Sequence, residues 1–229
     1  MFINRITFSL NKNHFNNGVL KQFKEEQFKI FNQLTNLFEE ILLFHLPKRT
    51  NLGGYVFFNN KLVSERSKPS INTSGQCIEF YHYLDIDKLE DLVNSSSNNQ
   101  LIKLSELLKS AVIEISKEHI VDTDIFLSAI DKLLGSTFGF EQRLKVSKSH
   151  KSKKVKIDVI RKVELSTEYI LYRIKNENGD SLFESILEHN TSIYDSSYSY
   201  RKSKWHENNL EIFDRFNKVH KTINVDKYL

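Results

Sequence analysis

The feature that most constrains this chain is a change of hydrophobic period near residue 136. Before it, apolar residues recur at helical steps. Phe23, Gln27, Ile30, Phe31, Leu34, Leu37, Phe38, Ile41 and Leu42 mark one stripe between about Gly18 and Leu46. Pro47 has no backbone N–H and biases Leu46 away from helical geometry, so the helix must end there. Leu101, Leu104, Leu107, Leu108, Ala111, Val112 and Ile115 stripe a second long helix, preceded by the polar loop "SSSNNQ". "DTDIFLSAIDKLLG" predicts a third, capped by Asp122 or Thr123 and closed by Gly135, and "DKLEDLVN" a shorter one.

Beyond Gly135 the helical spacing is gone. "FEQRLKVSKS", "KKVKIDVIRKVEL", "EYILYRIKN", "SLFESILEH", "YSYRKSKW", "NLEIFDRF" and "KTINVD" alternate with period two, separated by the polar turns "SHKS", "NENGDS" and "HENN". Many short strands at this spacing predict an antiparallel meander or sandwich. Charge changes at the same place: residues 1–136 carry 15 Lys+Arg against 16 Asp+Glu, and residues 137–229 carry 18 against 13. The reading is an α+β protein in two parts, a helix-rich mixed domain over 1–137 and a basic β-rich domain over 138–229.

The first part also contains strands. "MFINRITFSL" alternates well enough for one. "YVFFNNKLVSE" reads as two short strands with Asn59-Asn60 at the bend. In "QCIEFYHYLDI", Ile78, Phe80, His82 and Leu84 fall on one face, and Glu79, Tyr81, Tyr83 and Asp85 on the other.

With 39% hydrophobic residues, 17 Phe and 9 Tyr, the chain has ample material for a core. A single cysteine, Cys77, excludes an internal disulfide framework and any multi-thiolate metal site. The N-terminus lacks a secretory pattern, and no apolar run reaches the length a bilayer needs, so the expected address is the cytosol.

Chemical motifs are sparse. No two of the eight His stand three or four apart, and no phosphate-binding glycine loop or nucleophile elbow is present. No metal and no cofactor is therefore expected. His82, beside Phe80 on an apolar face, reads as a buried His with a hydrogen-bond partner. Asp85, Asp87, Glu90 and Asp91 cluster in "YLDIDKLED", where carboxylates suit a helix N-terminus better than a cation. Nine Lys or Arg against one Asp lie between Arg143 and Lys162, with a basic hairpin tip around Ser149–Lys153. Lys148, Lys151, Lys153, Lys154 and Lys156 form a candidate anion or nucleic-acid patch, though no aromatic interleaves that run. A lysine-protected sheet edge is the simpler account. Trp205 reads as core for a small sheet, and His206-Glu207-Asn208-Asn209 as the four-residue turn after it.

"HNTS" from His189 and "HKTI" from His220 share His-x-Thr, similar to the paired signature of the 2H phosphoesterases. That resemblance would imply two imidazoles acting on one phosphate. The order as a whole is a strand, a long helix, "GGYVFF", "IEFYHYLDID", two more helices and a basic β-rich tail closing on Trp205. It resembles the immunity proteins of bacterial polymorphic-toxin and contact-dependent inhibition systems. The resemblance implies a non-enzymatic cytosolic protein that binds and neutralises a cognate toxin domain. The exposed Tyr81 and Tyr83, with Asp85, Asp87, Glu90 and Asp91 beside them, are the expected contact residues. A nucleic-acid-associated protein using 143–162, and a phosphoesterase using His189 and His220, remain the alternatives.

Overall fold

The computed structural model describes residues 3–10, 25–64, 69–165, 167–190 and 199–229. The chain divides into two compact units, Met1–Phe138 and Gly139–Leu229. It is an α+β protein, with four helices preceding a strand-rich C-terminal part.

In the first unit, strand β1 (Arg5–Leu10) leads to helix α1 (Glu25–His45), then β2 (Phe57–Val63), β3 (Ser70–Ser74) and β4 (Cys77–Tyr83). Helices α2 (Ile86–Asn94), α3 (Ser97–Ser116) and α4 (Thr123–Gly135) follow. The sheet order is β1-β2-β4-β3, with β1, β2 and β4 parallel and β3 antiparallel to β4. One face is apolar because every second residue is: Ile6, Phe8, Phe58, Leu62, Ile78 and Phe80 are all buried. The helices supply the opposing layer through Phe31, Phe38, Ile41, Leu42, Leu101, Leu104 and Leu108, and Phe8 meets Phe38 edge to face at 5.4 Å.

The expected bend at Asn59-Asn60 does not exist. β2 runs straight through both residues because it is a central strand, held by β1 on one side and β4 on the other. Asn60 is wholly buried; its Nδ2 donates to the Thr7 carbonyl at 3.2 Å and its Oδ1 meets His82 Nε2 at 3.0 Å. The "SSSNNQ" loop is likewise shorter than its polarity suggests. Ser96 is the cap of α3, Ser97 already lies in the helix, and buried Gln100 donates to the Val93 carbonyl at 2.6 Å. The part of the expected first helix before Glu25 lies outside the described residues.

After α4, Thr137 and Phe138 both take left-handed φ values of 53° and 56°. Strands β5 (Phe140–Arg143), β6 (Lys148–Ser149), β7 (Val155–Val163), β8 (Glu168–Asn176) and β9 (Ser181–Asn190) then form one antiparallel sheet in the order β5-β7-β8-β9, with β6 also paired to β7. "FEQRLKVSKS" is two strands, not one. The chain breaks at Leu144–Ser147, where Ser147 Oγ accepts from Val159 N at 2.9 Å and donates to its carbonyl at 3.2 Å.

Strands β10 (Lys202–His206), β11 (Asn209–Phe213) and β12 (Val219–Asn224) make a second antiparallel sheet, and a short 3-10 turn, Asp226–Tyr228, ends the chain. The two sheets close on a shared core of Val155, Ile157, Val159, Ile170, Ile174, Leu210, Ile212, Ile223 and Val225. This is a sandwich.

His206 pairs with Asn209, so the connection after Trp205 is the two residues Glu207-Asn208 rather than four, and Glu207 has φ +52°. Trp205 packs against the core from its rim and is only half-buried, its Nε1 donating to the Ser149 carbonyl at 2.8 Å. Tethering indole to the basic hairpin keeps the ring at the sandwich edge.

Candidate functional site

The second face of the four-stranded sheet is polar, half-exposed and organised in rows. The registers place Thr7, Asn59, Glu79 and Asn72 in one row across the strands, and Ser9, Lys61, Tyr81 and Ser70 in the next. Thr7 and Ser9 hydroxyls both donate to Asn59 Oδ1 at 3.1 Å. Lys61 Nζ lies 2.6 Å from Glu79 Oε1 and 5.2 Å from the centre of the Tyr81 ring. The Tyr81 hydroxyl donates to Glu79 Oε2 at 3.0 Å and accepts from Lys61 at 3.3 Å.

Lys61, Glu79 and Tyr81 thus form a closed triangle. Burial works to raise the Glu79 carboxyl, but the bonds from Lys61 and Tyr81 outweigh it and hold it below the usual carboxylate range. Burial likewise works to lower the Lys61 ammonium, and the Glu79 and Tyr81 bonds lift it above its ordinary value. Both shifts lead away from neutrality. Such groups hold charge and geometry; a general acid or base needs the opposite.

Tyr83 shares this face, its hydroxyl 3.3 Å from Ser70 Oγ. The four carboxylates that follow are divided in their duties. Asp85 caps α2, accepting from Lys88 N at 2.8 Å, and those bonds to Lys88 hold its carboxyl low. Asp91 pairs with Lys103 Nζ at 2.6 Å. Asp87 is exposed in the first turn of α2 and Glu90 half-exposed in its middle. Lys61, Glu79, Asn59, Thr7 and Ser9 were not singled out in the sequence. The signal was the alternation through β2, which the Asn-Asn pair disguised as a turn.

Behind this face, His82 is buried among Phe8 and Phe80, and burial pushes its imidazole down to about 4. With Asn60 Nδ2 committed to Thr7, Oδ1 faces His82 and accepts from Nε2–H. His82 is a neutral, hydrogen-bonded core residue.

In the second unit the lysines of the basic run are unevenly committed. Lys148 Nζ donates to the Ser203 carbonyl at 2.6 Å, Lys154 Nζ to the Leu229 carbonyl at 3.4 Å, and Lys156 lies 3.4 Å from buried Asp158. Only Lys151 and Lys153 of the five are exposed with no ion pair among the described residues, Lys153 in a left-handed conformation at the tip.

His189 and His220 occupy different places. His189 pairs with Tyr169 and stacks on its ring at 4.8 Å, on the sheet face opposite the core. Its neighbour Glu188 points the other way, accepting from His220 Nε2 at 3.0 Å and from Tyr200 Oη at 2.8 Å. Adjacent strand residues face opposite sides, so these two imidazoles do not converge on one phosphate. Thr191 and Ser192 lie outside the described residues.

Among the described residues no group of three or more His, Cys, Asp or Glu could hold a metal ion, and no helix is long and apolar enough to cross a membrane. No protein-family model, curated protein or solved structure matches this chain.

Proposed function

We propose that this chain is a non-enzymatic binding protein of the immunity class, acting in the cytosol by occupying a cognate bacterial toxin domain. The observation that carries the reading is the Lys61–Glu79–Tyr81 triangle on the polar face of the first sheet. Tyrosine offers rigid apolar area with a polar handle, and interface energy concentrates in such anchors. Here the ring is already fixed by its neighbours, so little side-chain freedom is lost when a partner docks. The mixed charges around it suit a partner selected by complementary potential. Asp87 and Glu90 on α2 add uncommitted negative charge. Tyr83 enlarges the aromatic area on the same strand.

The test is co-expression with the toxin domain encoded by the neighbouring reading frame. Tyr81→Ala should weaken binding roughly 30-fold, the loss of one anchor of about 2 kcal/mol, and should reduce protection. Tyr81→Phe separates the ring from its hydroxyl. His189→Ala and His220→Ala should protect like the parent. Protection lost in both His variants and kept in Tyr81→Ala would sink the binding-surface reading.

A further inference from the structure

We infer that two copies of this chain pair through the outer edge of β9, joining their five-stranded sheets into one. β9 is the last strand of its sheet, and no described strand or backbone group bonds its outer side. An unpaired strand edge presents alternating N–H and C=O groups that only another extended backbone can match.

The other edges are blunted. Ile6 N on β1 donates to Glu39 Oε1 at 3.2 Å. β3 has five residues, largely Ser, Thr and Asn, and β5 has four. β10 carries Lys202 and Lys204, and β12 carries Lys221. β9 has ten residues, SLFESILEHN, with no Lys, Arg or Pro. It leaves Leu182, Phe183 and Ile186 40–48% exposed, the pattern that protected edges avoid.

A second copy is the occupant that the charges favour. Both carboxylates of β9 are neutralised within the chain: Glu184 by Arg173, and Glu188 by hydrogen bonds from His220 and Tyr200. Nothing on the strand is left to select a basic partner, and little is left to repel an identical acidic one. Antiparallel pairing about a two-fold axis makes β9 its own complement. Ile186 lies within one residue of the middle of the strand, so the axis brings the two Ile186 side chains close together on the outer face.

The experiment measures the mass of the full chain by light scattering over a dilution series. The parent should approach twice the chain mass of 27.0 kDa as concentration rises, and Ile186→Lys should stay at the single-chain mass with an unchanged melting curve. As a readout independent of that variant's folding, single cysteines at Glu184, Ser185 and Ile186 in a Cys77→Ser background should include at least one that oxidises to a covalent dimer. A parent at single-chain mass throughout, a dimer that survives Ile186→Lys, or no crosslink at any of the three positions overturns the inference. Toxin protection is a separate measurement: a monomeric Ile186→Lys that still protects leaves the proposed function standing.

Discussion

The first unit covers one face of its sheet with helices and buries a neutral polar pair, Asn60 and His82, beneath them. The second lays two sheets together over an aliphatic core and buries charged carboxylates instead: Asp158 among Arg143, Lys156 and Lys175, and Glu168 against Arg161. Both arrangements satisfy buried polar atoms, yet they respond to protons at different points. A neutral buried His resists gaining a proton, whereas an ion-paired Asp resists losing its charge. The same contrast shapes the surfaces. The first unit carries a half-exposed polar face whose side chains hold one another. The second carries most of the lysines and one long edge without them.

The largest effect that separates the units comes from core truncation. Phe58 is wholly buried on the helix-covered face, and Phe58→Ala should cost about 3–5 kcal/mol. Hydrogen exchange should show lost protection in β2 and β4 while β7 and β8 keep theirs. Equal loss in both sheets would merge the two units into a single cooperative core.

Acid should distinguish them next. His82 has its folded pKa depressed from 6.5 to about 4, so the unfolded chain takes up a proton first as pH falls. The first unit should therefore weaken from pH 6.5 downward and reach a penalty of about 3 kcal/mol near pH 4. Asp158 is also depressed: burial works to raise it, but bonds from Arg143 and Lys175 prevail. Its contribution is present above 3.8 and is lost only as pH falls through the lower folded value. Urea melts between pH 7 and pH 4, followed separately in each sheet, should show the first unit yielding earlier. His82→Gln should flatten its response in that window. A sandwich that softens first would reverse the comparison.

The smallest effect concerns the sandwich rim. Trp205→Phe keeps most of the ring contact and removes the bond to Ser149, so the second unit should lose about 1 kcal/mol with no change in the first. A loss several times larger would mean that the indole is a central core residue after all.

Some of this was legible in the residues. The stripes of Phe31–Leu42 and Leu101–Ile115, Pro47 after α1, and the alternation from Val155 onward each have a local cause: a 3.6-residue or two-residue repeat places apolar side chains on one side of an element. The same local logic assigns the faces of β4, putting His82 inside and Tyr81 outside, and makes Asp85 a helix cap. Local pattern by itself determined the α+β class and the order of the elements. It could not decide which strands lie side by side. That β2 is flanked by β1 and β4 turns Asn59-Asn60 from a bend into the hydrogen-bonded middle of a strand, and it assembles Thr7, Asn59, Lys61, Glu79 and Tyr81 from three distant segments. The pairing of β8 with β9 likewise sends Glu188 toward His220 and His189 away from it. Only tertiary structure decided these sites, because cross-strand register depends on contacts between residues far apart in the chain, and a local repeat carries no record of them.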